Sequence, residues 1–308
     1  MRGLWTVIPT GYLHPRYAES FAEFGTPREL PRSGGWILQR RIPGLPYDDA
    51  MGCYPLFACR DWEHLGADLE VLGTEFVSLA LVTDPFGDYR PADLVTCFDL
   101  VIPFKEHFVV DLQHPLDLII DRRLRKQVRR ARRDIDVEQC QDPAGFLDEW
   151  LRLYAVLVER HNLTGIKAFS PAVFAKQLST PGVVLFRAVA DGVTVGADWY
   201  YEQEEVAYGH LAAFSPAGYR LGAAAVLQAH AVEHFAGRLR WIDLGAGAGS
   251  AAKNDDGLSR FKRRWSTGAR TAYFCGRVFD ERRYAHVVAM KGSSVTTYFP
   301  AYRQGELG

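Results

Sequence analysis

The sequence predicts a mixed α/β fold in two tandem domains, and three observations carry that prediction. The chain has 308 residues, about twice an ordinary domain of ~150 residues. Hydrophobic residues make up 48% and charged residues 24%, globular proportions that allow a large core without disulfides or metals. After about residue 180, strand and helix signals alternate, as they do where helices lie on a mixed sheet.

The first 110 residues read as strand-rich and broken by turns. Gly34-Gly35-Trp36-Ile37-Leu38 opens an apolar run that Ile42-Pro43-Gly44 closes. Phe76–Val82 is a short buried strand, and Thr83-Asp84-Pro85-Phe86-Gly87 carries the turn chemistry that ends it. Phe108–Leu112 is the last strand before the period changes. From Leu116 the pattern is helical. Leu124, Val128 and Ala131 share one face, while Arg122, Arg123, Arg125, Lys126, Arg129, Arg130, Arg132 and Arg133 make eight of the twelve residues from 122 to 133 basic. Asp142-Pro143 starts a second helix with the stripe Phe146, Trp150, Tyr154 and Leu157. Val183–Val189 is a strand, Asp191-Gly192 a hairpin turn, and Thr194–Tyr201 and Val206–Ala212 two more strands. A long Ala-rich helix is expected over Leu221–Phe235, then a strand at Leu239–Leu244, a basic helix near Leu258–Trp265 and a strand at Thr271–Cys275.

Lys and Arg number 36 against 37 Asp and Glu, so net charge argues neither for nor against nucleic acid, and only local clustering can. The five cysteines, Cys53, Cys59, Cys97, Cys140 and Cys275, include no C-x-x-C pair. They read as free thiols in a reducing compartment. The N-terminal Met-Arg-Gly-Leu-Trp-Thr-Val-Ile-Pro has no signal-peptide core, and no run is long enough to span a membrane. The expectation is a cytoplasmic protein with no membrane span.

The order hairpin, strand, helix, strand, helix, strand resembles the GNAT acyltransferase fold, and three segments are similar to its Fem-like branch. Leu124–Ala131 is similar to the Arg/Lys-rich helix joining the two halves. Trp241-Ile242-Asp243-Leu244-Gly245 resembles the strand and glycine after the donor-site helix. Gly257-Leu258-Ser259-Arg260-Phe261-Lys262 resembles the Gly-Leu-x-x-Phe-Lys helix. The match covers roughly residues 120 to 275. The resemblance implies an α/β (mixed α+β) chain of two tandem GNAT-like domains, the C-terminal one better matched. A degenerate first domain would cover 1–115, basic connecting helices 116–160, and the second domain 161–308.

The resemblance implies that Lys262 aids the tetrahedral oxyanion formed when an amine attacks an ester or thioester, where one well-placed donor is a large catalytic term. The plainer alternative is a solvated Lys on a basic helix beside Arg260, Arg263 and Arg264. In the helix from Arg122 to Arg133, Arg125 and Arg129 are candidates for holding a phosphate-bearing substrate, a nucleotide, tRNA or CoA. The alternative there is a solvated face neutralised by Asp134, Asp136 and Glu138. Tyr219, Arg220, Gly222 and Ala223 open the Ala-rich helix where an acyl donor's phosphates would sit. CoA-using GNAT enzymes carry Arg or Gln where this sequence has Tyr219, which weighs against CoA. Close helix–sheet packing would explain the same small residues. Asp198 and Tyr200 fall on one face of their strand, and with Tyr208 and His210 they are candidate base and acceptor-orienting groups. A structural hydrogen bond is the alternative for Asp198. Arg260 completes the substrate-binding set.

Two lookalikes are set aside. Asp243–Gly249 mimics a methyltransferase glycine loop, but only 59 residues follow Gly249, too few for the βα units such a sheet needs. His230-Ala231-Val232-Glu233-His234 matches an inverted zinc motif without a downstream acidic helix for a third ligand. The expected function is amide-bond formation from an activated acyl group, by preference an aminoacyl group carried by aminoacyl-tRNA, to a small-molecule or peptide amine. The alternatives are acyl-CoA as donor and a non-catalytic GNAT-like binding module. No metal, tightly bound cofactor or DNA partner is expected.

Overall fold

The computed structural model describes residues 8–248, 256–292 and 296–306. Its strands in chain order are β1 (Thr26–Leu30), β2 (Gly35–Arg41), β3 (Asp48–Gly52), β4 (Phe76–Val82), β5 (Leu100–Asp111), β6 (Asp136–Gln139), β7 (Val183–Ala190), β8 (Val193–Gln203), β9 (Val206–Phe214), β10 (Trp241–Asp243) and β11 (Gly268–Val278). Among the described residues they form one 11-stranded sheet in the order β1-β2-β3-β4-β11-β5-β10-β9-β8-β7-β6.

Read inward from β1, the pairs run antiparallel, antiparallel, parallel, antiparallel. Read inward from β7, they run the same way through β8, β9, β10 and β5. The halves are therefore built alike, which is the tandem arrangement expected. They also exchange strands. β11 lies against β4 of the first half, and β5 lies against β10 of the second. β5 and β11 pair with each other at the centre.

Local chemistry accounts for most elements. Asp191 (φ 50°) and Gly192 (φ 76°) take the left-handed conformations of a two-residue hairpin turn between β7 and β8. Asp121 caps the basic helix Arg122–Ala131, its Oδ1 accepting from the Leu124 N–H at 2.7 Å, and Leu124, Val128 and Ala131 are its buried side. The helix Leu147–His161 buries Trp150 against Trp199, stacked at 4.9 Å. Such aromatic pairs contribute about 0.5–1.5 kcal/mol beyond their buried area. That helix covers one face of the second half, whose core includes Tyr12, Tyr17, Tyr201 and Tyr208. The helix Ala223–Phe235 covers the other face, over Phe186, Tyr200, Ala207 and Ile242.

Three expectations need correction. The Ala-rich helix is two helices, Pro216–Leu221 and Ala223–Phe235, because Gly222 adopts φ 81° between them. The last strand runs well beyond Thr271–Cys275 and enters the first half. The first 110 residues also hold helices at Pro15–Ser20, Leu65–Leu72 and Pro91–Cys97. All five cysteines are free, with Cys53, Cys59 and Cys275 buried. No helix among the described residues is long and apolar enough to cross a membrane.

Candidate functional site

The sheet of the second half forks. β10 pairs in parallel with β9 over three positions, ending at Asp243↔Tyr208, while β9 continues to Phe214. Gly209 lies at the fork, where a Cβ would come 3.1 Å from the Asp243 carbonyl oxygen. A register shift between β8 and β9 beside Trp199 and Tyr200 lies next to the same point.

Lys262 reaches the fork from the helix Gly257–Trp265, which Asp256 caps by accepting from the Leu258 and Ser259 N–H groups. Its Nζ donates to the Ala246 carbonyl at 2.7 Å. Gly245, at φ 73°, makes room, since a Cβ there would lie 3.2 Å from Nζ. Burial pushes the Lys262 pKa down to about 8, against the pull of the Asp243, Asp198 and Asp256 carboxylates. An ammonium has three donors, and among the described residues the Ala246 carbonyl engages one of them.

Asp198 and Tyr200 share the face of β8 turned to the Ala223–Phe235 helix, and the Tyr200 hydroxyl donates to Asp198 Oδ2 at 2.7 Å. Burial raises the Asp198 pKa to about 7, opposed by that hydroxyl and by Lys262. Tyr208 and His210 were expected to line one cleft with these two. They lie instead in the core on the opposite face, because strand side chains alternate and a register shift falls between Asp198 and His210. Tyr208 donates to Asp84 Oδ2 at 2.7 Å, and burial raises the Asp84 pKa to about 6. His210 Nε2 donates to Gln177 Oε1 at 3.3 Å and its Nδ1 accepts from the Tyr12 hydroxyl at 3.2 Å. Burial drives its pKa down to about 3, so it is neutral.

Sequence reasoning missed Asp84, His107 and Asp243. Asp243 ends β10 and its Oδ1 accepts from the Gly245 N–H at 2.7 Å, fixing the turn whose next carbonyl holds Lys262. Its Oδ2 accepts from His107 Nδ1 at 2.8 Å, and both residues are buried. The signal was present: Asp243 is a lone acid among Trp241, Ile242 and Leu244, the same argument that singled out Asp198.

At the donor end, no side chain caps the Ala223–Phe235 helix, and Gly222 precedes its first turn. The Ala225 N–H donates to the Gly222 carbonyl at 3.0 Å, and no side chain caps the Ala223 and Ala224 N–H groups, which lie where an anion could meet them. Tyr219 is half-buried, edge-on to Phe214 at 5.4 Å and beneath the Arg160 guanidinium at 4.3 Å, while Arg220 is exposed. The basic helix ends beside Gly222, with Ala131 Cβ 3.8 Å from a Cβ placed there, and Arg132 pairs with Glu233. Arg125, Arg129 and Arg260 are exposed. The neutralising acids do not engage this helix: Glu138 pairs with Arg187, and no ion pair joins Asp134 or Asp136 to it among the described residues. His230 and His234 stack on one another and pack edge-on to Phe186. Among the described residues no cluster of three or more His, Cys, Asp or Glu is arranged to hold a metal. The glycine-loop lookalike follows the tenth strand, not a first one, and its Gly249 lies outside the described residues.

A forked sheet whose strand β9 leads towards a glycine-preceded helix without a side-chain cap is the GNAT class of fold. Residues 121–263 match the family described as an acetyltransferase (GNAT) domain. Over the whole chain the fold is Fem-like. The structure of FemX superposes with a TM-score of 0.68 at 15% identity, covering 91% of this chain and 95% of that one. The C-terminal domain of a putative lysylphosphatidylglycerol synthetase from Agrobacterium fabrum gives 0.63 at 17% identity, covering 86% and 87%. L-PGS from Bacillus licheniformis gives 0.57 at 13% identity, covering 91% and 96%. Comparison of the sequence with curated proteins finds no match.

Proposed function

We propose that the chain forms an amide by moving an activated acyl group, in the preferred form an aminoacyl group from aminoacyl-tRNA, onto an amine. The observation that carries this reading is the Lys262 ammonium, held at the fork of β9 and β10 by the Ala246 carbonyl. The acceptor nitrogen attacks the carbonyl carbon, the C–O bond to the tRNA ribose breaks, and the departing oxygen takes a proton. Lys262 stabilises the oxyanion between those steps. Asp198, with its pKa raised to about 7, is suited to taking the proton the attacking amine loses. Tyr200 holds Asp198 in place. Arg125, Arg129 and Arg260 are the cations assigned to phosphate-bearing substrate, while Tyr208 and His210, buried on the opposite face of the sheet, take no part. Tyr219, Arg220, Gly222 and Ala223 meet the donor. A tandem Fem-like fold and Tyr219 in place of an Arg or Gln favour the tRNA donor. The uncapped helix after Gly222 favours the second reading, acyl-CoA as donor.

The two donors separate in one assay. With aminoacyl-tRNA as donor, turnover is expected to vanish on RNase treatment, survive removal of all CoA, and fall steeply with salt. Turnover supported by a CoA thioester in RNA-free enzyme reverses the order. A pH dependence follows from Lys262. If its charged form is needed, the turnover number falls as pH rises through about 8, the value to which burial lowers it. The Asp198 carboxylate supports that charge, so Asp198→Asn moves the alkaline limb to lower pH. An unmoved limb would separate the two residues.

A further inference from the structure

We propose that the face formed by Leu116–Ile119 and the Arg122–Ala131 helix docks the protein onto an anionic phospholipid bilayer. The inference is independent of the chemistry at Lys262, and its test substitutes Arg122, Lys126 and Arg130, leaving Arg125 and Arg129 of the same helix in place. The chain as a whole has a formal net charge of -1, yet Arg122, Arg123, Arg125, Lys126, Arg129, Arg130, Arg132 and Arg133 are all exposed on one short stretch. Arg132 pairs with Glu233, and Arg125 donates to the Asp117 carbonyl at 3.3 Å. The other six form no ion pair among the described residues, while Asp121 directs an oxygen at the Leu124 N–H. A bare cationic ridge of this kind fits a polyanionic partner.

The neighbouring apolar residues choose the partner. Leu116 is 43% and Leu118 67% exposed in the short helix just before the cationic one. The Arg125–Asp117 bond ties the two helices together. Cations beside outward-pointing leucines suit the headgroup boundary of a bilayer, where the leucines enter the acyl region and the guanidinium groups meet phosphate. An RNA surface would instead gain from exposed aromatic side chains on which bases stack. Residues 116–133 contain no Phe, Tyr, Trp or His.

The test is sedimentation of the full chain with vesicles of equal phosphatidylglycerol and phosphatidylcholine, beside vesicles of phosphatidylcholine alone. Binding to the anionic vesicles only, weakened by salt, is expected. The triple substitution Arg122→Gln, Lys126→Gln, Arg130→Gln should weaken it by about 100-fold. The pair Leu116→Ser, Leu118→Ser should weaken it by about tenfold or more with every cation in place. The charge-preserving pair Arg122→Lys, Arg130→Lys should bind as the unaltered chain does, and thermal melts confirm folding of each variant. Equal binding to both vesicle types, or to neither, overturns the proposal. So does retention of bulk tRNA that is lost in the triple variant but unchanged in the leucine pair, which would make the face an RNA surface.

Discussion

Replacement of Lys262 by Met is expected to lower the turnover number by ~100-fold or more with the fold intact, as loss of an oxyanion donor does. Met keeps the unbranched stem and removes only the charge. The ammonium is held by the Ala246 carbonyl in the turn that Asp243 fixes, so the loss is of a positioned group and not of a diffuse charge. A role confined to ground-state binding would raise the Michaelis constant and leave turnover alone. A solvated surface charge would move neither. Arg263 and Arg264 are exposed on the same helix, Arg263 lying over the Phe108 ring at 5.5 Å, and they serve as controls. Equal losses at all three would assign the effect to the general field of the helix.

Substituting Asp49 by Ala is expected to cost about 3–5 kcal/mol of stability, the range for stranding buried charges without their partner. Asp49 is fully buried in β3. Its two oxygens accept from Arg303 Nε at 2.9 Å and Arg303 Nη2 at 3.0 Å, a bidentate pair, and Arg40 Nε lies 3.3 Å away. Arg40 and Arg303 are 7% and 8% exposed, so removal of the carboxylate leaves two guanidinium groups out of water. Glu306, 39% exposed, is the carboxylate left to both, and an exposed acid offsets little. Urea denaturation measures the effect. A loss below about 1 kcal/mol would mean that Glu306 or water takes over the pair. The contact also ties the C-terminal segment to the first half, since Tyr302 bonds Ser78 in β4 at 2.7 Å. The variant should therefore make the C-terminal residues more open to protease.

Where information was local, the sequence was readable. Phe76–Val82 is apolar but for Ser78 and is β4 residue for residue. Asp191-Gly192 gave the hairpin because few other pairs adopt two left-handed conformations in succession. Three strands escaped for the opposite reason. β1 carries Pro27 and two charges on an edge, β3 begins with Asp48-Asp49, and β6 reads Asp-Val-Glu-Gln. Each takes its form from a partner strand, and Asp49 from an arginine 254 residues away.

The same division runs through the site. The sequence by itself determined the cationic face and the shared face of Asp198 and Tyr200, because each rests on side-chain period, and a contiguous motif singled out Lys262 through a family resemblance. Tertiary structure alone decided the pairings Asp84–Tyr208 and His107–Asp243, which span 124 and 136 residues. It also decided the exchange of β5 and β11 between the halves, and the sheet that parts Tyr208 and His210 from Asp198. A buried carboxylate must find a donor, but which donor depends on where the strands stack. Strand order is set by non-local hydrogen bonds that leave no periodic trace in the chain.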